Sequence, residues 1–81
     1  MNNDETLQLM AALAVEFADF ELTEERARIW QRLLRGVPFE IGMEAAVRLI
    51  DTEIFPPKFG KLRETIAMIE HGDELPSAQQ A

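Results

Sequence analysis

Pro56 and Pro57 stand side by side in a chain of 81 residues, and no helix can run through them. Neither proline has an N–H to give to a helical ladder, and each drives the residue before it out of the α region. A corner at Phe55-Pro56-Pro57 therefore divides the chain: helix-like patterns precede it and one helix-sized segment follows. Ile54, Phe55 and Phe59 flank the corner, and three large apolar groups there predict a bend anchored on the core, not a free linker.

The stretch before the corner is punctuated by helix signals. Asn2-Asn3-Asp4-Glu5 offers a capping side chain and an acidic first turn, both favourable at a helix start. At about 100° per residue, Leu7, Met10, Ala11, Ala14, Phe17 and Ala18 share one face of that first helix, and Leu9 and Leu13 widen it. So broad an apolar arc, leaving Gln8, Ala12, Glu16 and Asp19 for solvent, predicts the helix that the others pack around. Phe20-Glu21-Leu22-Thr23 ends it. Thr23 reads as the N-cap of a second helix, with Glu24 and Glu25 in its first turn and Leu22 stapled over the start. That helix is expected from Glu24 to Arg35, burying Ala27, Trp30, Leu33 and Leu34 and carrying Arg28, Arg32 and Arg35 on the opposite side.

Gly36 supplies a left-handed residue to close the second helix, and Pro38, in the next first turn, opens a third that runs to Thr52. Phe39, Gly42, Ala46, Leu49 and Ile50 face its core side, with Met43 and Val47 beside them, while Glu40, Glu44, Arg48 and Asp51 face outward. Gly42 and Ala46 let another helix approach closely, which accounts for a glycine that costs about 1 kcal/mol against alanine inside a helix. Beyond the corner, a fourth helix is expected from Pro57 or Lys58 to Glu70, with Gly72 as its stop. Phe59, Leu62, Ile66 and Ile69 form its stripe, and Met68 falls outside it. Lys58, Lys61 and Arg63 crowd the first turns as one cationic spot, where the helix dipole disfavours cations. That placement marks them as candidate partner contacts, and the stripe of Arg28, Arg32 and Arg35 is a second candidate.

The expected fold is all-α: a compact four-helix domain over residues 1–72, with short connections, and a short disordered tail over residues 73–81 that has little to bury. Its expected core comprises Phe17, Trp30, Leu33, Leu49, Phe55, Phe59, Leu62 and Ile66. Burial of Trp30 and Phe55 would make truncation of either to alanine cost about 3–5 kcal/mol.

At this size the chain has room for one small core. The absence of cysteine rules out a disulfide framework and thiolate metal sites, and the single histidine, His71, follows Glu70 at a helix end, where it suits the dipole. Carboxylates such as Glu40 and Glu44 pair on one helical face, but no Glu-x-x-His spacing or Gly-rich loop accompanies them, so no metal or cofactor is expected. No serine precedes Ser77, and no nucleophile with a base is in view; the expectation is a protein without catalytic residues. A net charge of −7 opposes autonomous nucleic-acid binding and favours protein partners. Met1-Asn2-Asn3-Asp4-Glu5 lacks the basic segment of a signal peptide, and no apolar run approaches membrane-spanning length, so a soluble cytoplasmic protein is expected, and it is taken as a monomer.

The order of these signals carries a resemblance. A threonine-capped helix in Phe20-Glu21-Leu22-Thr23-Glu24-Glu25, Trp30 with Leu33 and Leu34, Ala45-Ala46 in the third helix, and Ile54-Phe55-Pro56-Pro57 before the last resemble the N-terminal domain of the phage replicative-helicase loader and inhibitor family. The likeness spans about residues 5 to 70. It implies a non-enzymatic replication accessory protein in a bacterial host cell. Such a protein binds a DnaB-type hexameric helicase, holds it inactive and delivers it to an origin-bound initiator. The family is bipartite, with a flexible C-terminal part that engages the helicase, which here assigns Glu74 and Leu75 to partner contact. Where the family typically carries Phe-Pro-Pro-Thr, with threonine capping the last helix, this chain has Lys58.

Two other readings of the residues stay open. An acidic inhibitor from a phage or mobile element could occupy a nucleic-acid-binding surface of a host protein, with Glu16, Asp19, Glu40, Glu44 and Asp51 as its carriers. A homodimeric scaffold could instead use surplus apolar surface on the first helix.

Overall fold

In a computed structural model, which describes residues 1–72, the chain forms α1 (Asn3–Glu16), α2 (Glu24–Leu33), α3 (Phe39–Thr52) and α4 (Phe59–Glu70), with no strand among the described residues. The fold is all-α. α1 packs on α2 and α3, and α3 packs on α4. The expected tail at residues 73–81, with Glu74 and Leu75, lies outside the described residues.

Caps set the helix starts. Asn2 Oδ1 accepts from the Glu5 N–H at 2.8 Å while Glu5 Oε1 accepts from the Asn2 N–H at 2.9 Å, a reciprocal box that opens α1. Thr23 Oγ1 accepts from the Arg26 N–H at 3.1 Å and opens α2. Pro38 stands at the N-cap of α3 and Lys58 at that of α4, and neither supplies a side-chain cap bond. α4 ends where Gly72 takes φ 83°, with its N–H donating to the Ile69 carbonyl.

Two helices end before the sequence pattern predicts. α1 stops at Glu16: Phe17 adopts extended backbone and Phe20 N–H donates to the Phe17 carbonyl, a turn that brings both phenyl rings into the core. α2 stops at Leu33, and Gly36 is not its left-handed stop, since Gly72 alone among the described glycines has a positive φ. The N–H groups of Arg35 and Val37 instead donate three residues back, to the carbonyls of Arg32 and Leu34, in tight turns that need no left-handed residue. The Met1 ammonium serves the same segment, donating to the carbonyls of Leu34 at 3.1 Å, Arg35 at 3.2 Å and Val37. A cation at this end also complements the dipole of α2.

One core joins Leu9, Met10, Leu13, Phe17 and Phe20 to Ala27, Trp30 and Leu34 of the second segment, Ala45, Ala46 and Leu49 of α3, and Leu62 and Ile66 of α4. Its face on α1 is rotated from the expected one: Thr6, Leu9, Met10 and Leu13 are buried, while Leu7, Ala11 and Val15 are exposed. Apolar residues surround α1, so spacing does not settle its phase; packing does, and it carries Thr6 inside, with Oγ1 lacking a partner. On α3, Val47 is exposed and Gly42 is buried. A methyl group at Gly42 would collide with Met1 Cε and stand 3.2 Å from Leu9 Cδ1, so the glycine admits the start of α1. On α4, Phe59 and Ile69 are half-buried and Met68 is exposed, while Thr65 is buried with its hydroxyl donating to the Lys61 carbonyl at 2.9 Å.

Three residues expected inside are outside. Ile54 is 85% exposed and Phe55 74%, and Leu33 is 42% exposed. The corner is anchored by the residues just after it: Pro57 is buried, and the Phe59 ring lies against Trp30. With the bend held there, Ile54 and Phe55 stand free between α3 and the prolines. Leu33 is the last residue of α2 and falls on a flank shared with Ile29, one turn earlier, beside the buried line of Ala27, Trp30 and Leu34.

Candidate docking site at the proline corner

The corner borders a cleft of about 350 Å³ lined by Asp19, Phe20, Arg26, Trp30, Pro56, Pro57, Lys58 and Phe59. Its floor is a row of aromatic rings. Phe20 meets Trp30 edge-on with centroids 5.5 Å apart, and Trp30 meets Phe59 in the same manner at 5.2 Å. Such pairs contribute about 0.5–1.5 kcal/mol beyond the area they bury. Arg26 caps the row, its guanidinium carbon 4.9 Å from the centre of the Phe20 ring and one Nη donating to the Glu21 carbonyl at 3.1 Å. Lys58 and Arg26 give the rim two cations against the one carboxylate of Asp19. Ile54 and Phe55, both largely exposed, directly precede the two prolines that line this cleft.

The expected cationic trio of Lys58, Lys61 and Arg63 is divided among three grooves: Lys58 and Lys61, three positions apart, are neighbours on the helix surface, whereas Arg63 lies on another side of α4. Lys58 belongs to the corner cleft. Lys61 lies 3.8 Å from Glu64 and lines a groove between α3 and α4 with Arg48, Thr52 and Met68. Arg63 lines another groove, between α2 and α4, with Leu33, Val37, Ile66 and Glu70. The arginine stripe divides as well. Arg28 and Arg32 line one groove with Ile29 and Leu33, whereas Arg35, beyond the end of the shortened α2, joins Met1, Asn2, Asp4 and Gln31.

Phe20, Arg26 and Pro57 build the cleft, and none of them stands out in the sequence as a site residue. Arg26 carries no signal of its own, while Phe20 and Pro57 are visible in the sequence only as structural punctuation, before the Thr23 cap and at the corner. Among the described residues no group of three or more His, Cys, Asp or Glu side chains could hold a metal ion, and no helix is long and apolar enough to cross a membrane.

Fold and cleft together define a small all-α domain with an exposed apolar pair, Ile54 and Phe55, next in the chain to a cationic-rimmed aromatic cleft. The family model for the N-terminal domain of a phage helicase loader/inhibitor matches residues 1–63, from Met1 into the second turn of α4. The chain belongs to that family. No curated protein and no solved structure matches the chain.

Proposed function

We propose that this chain is a non-enzymatic accessory protein of phage DNA replication that binds a hexameric replicative helicase and acts as its loader or inhibitor. Membership of the phage loader/inhibitor family supports the choice of partner. The observation that carries the proposal is the exposure of Ile54 and Phe55 on a corner fixed by Pro57 and Phe59. Large apolar groups exposed to water gain by burial against a partner, and the prolines after them limit the backbone freedom that binding would otherwise remove. Phe55 and Ile54 act as anchors, the cleft beside them receives a side chain of the partner, and Lys58 and Arg26 pair with its carboxylates.

Gel filtration of the chain mixed with the replicative helicase of its bacterial host tests this reading. Co-elution with the hexamer is expected, and an ATPase or unwinding assay of the complex then separates inhibition from loading. Separate elution at concentrations well above those of a micromolar complex would refute the reading.

A further inference from the structure

We propose that the outer flank of α2 is a second docking surface, a groove that takes an acidic amphipathic helix of another protein. Ile29 and Leu33, four residues apart on one helical flank, are 58% and 42% exposed. Arg28 and Arg32, also four apart, run beside them, and these four side chains line a groove of about 340 Å³. Neither arginine has a carboxylate within ion-pair distance among the described residues, although Glu24 stands one turn before Arg28. Leu33 is also a wall of the groove between α2 and α4, which contains Val37, Ile66 and Arg63, with Glu70 the one carboxylate on its lining. The apolar strip thus continues past the end of α2 and meets a third guanidinium.

The complement of this track follows from its chemistry. Apolar side chains at helical spacing match Ile29 and Leu33, and carboxylates on either side of them match the three guanidinium groups, bidentately where geometry allows. One helix with an apolar seam and acidic flanks supplies both. A nucleic acid would use the arginines and leave Ile29 and Leu33 uncovered, and the net charge of −7 opposes it. The groove contains none of Ile54, Phe55, Pro56 and Pro57, so it stands or falls independently of helicase docking at the corner.

The test is a two-dimensional amide NMR titration of the full chain with a synthetic helical peptide of about five turns, bearing leucine at i, i+4 positions flanked by glutamate. Shifts are expected at Arg28, Ile29, Arg32, Leu33 and Arg63. Affinity should fall about tenfold for the double variant R28E/R32E, for Ile29→Ser, and for a peptide with glutamine in place of glutamate. These positions are exposed, and an unchanged far-UV circular dichroism spectrum verifies that the variants fold. No shifts, shifts centred elsewhere, or equal binding of the glutamine or a scrambled peptide would overturn the proposal. So would self-association or binding of a DNA duplex that the same substitutions abolish, since each puts a different occupant on the groove.

Discussion

The Trp30 indole meets the Phe59 ring edge-on, with centroids 5.2 Å apart and planes inclined at 72°. This contact joins the middle of α2 to the first residue of α4, just past the corner where two prolines break the helical backbone. It holds the corner from inside and leaves the two apolar residues before the prolines outside.

Truncation of Trp30 therefore removes both the Phe20 and the Phe59 contacts from the centre of the core. Trp30→Ala is expected to cost about 3–5 kcal/mol, enough to unfold much of a domain whose total stability is only about 5–15 kcal/mol. Urea denaturation followed by circular dichroism measures this. A loss below about 1 kcal/mol would show that the ring contributes little to the core.

Phe55 should behave in the opposite way. At 74% exposure its replacement by serine removes few contacts, and the expected change in unfolding free energy is within about 0.5 kcal/mol. Denaturation of Phe55→Ser beside Trp30→Ala gives the comparison directly. A cost of several kcal/mol would restore Phe55 to the core.

Lys58 occupies the N-cap of α4 without a side-chain hydrogen bond. Lys58→Thr, which introduces a capping hydroxyl, should stabilise the domain by about 1 kcal/mol and raise its melting temperature by about 4–8 °C. The same change removes a cation from the corner cleft, so partner affinity should fall as stability rises. Thermal melts and binding isotherms on one preparation test both signs.

Thr6 is fully buried, and its Oγ1 has no hydrogen-bond partner. Valine has nearly the same shape and no hydroxyl to desolvate. Thr6→Val is therefore expected to raise the unfolding free energy by about 1 kcal/mol, at the lower end of the penalty for an unsatisfied buried group. A destabilised variant in the same denaturation assay would mean that the hydroxyl is hydrogen-bonded in solution.

Local signals in the sequence specify the helices well and their surroundings less well. The start of α1 at Asn2-Asn3-Asp4-Glu5, Thr23, the two prolines and Gly72 each act through bonds or sterics within a few residues, so the chain alone announces them. The end of α2 is not legible, because the carbonyls just beyond it are met by tight turns and by the Met1 ammonium, more than thirty residues away. Nor is the phase of α1, whose apolar residues fit more than one rotation and whose buried Thr6 no hydrophobic pattern would select. The corner is legible as a break but not as a surface. An apolar side chain need not be buried, and in this chain the anchoring falls to Pro57 and Phe59, leaving Ile54 and Phe55 outside. The cations at the start of α4 are visible singly, but where each points depends on which helix packs beside it.

Isothermal titration of the host's replicative helicase with the wild-type chain and with the double variant I54S/F55S decides whether the exposed tip of the corner is what docks. Binding by the wild type is expected, with at least about a tenfold loss of affinity in the variant and melting temperatures that agree closely between the two proteins. Equal affinities, or no heat and no complex with the wild type, would contradict docking through Ile54 and Phe55.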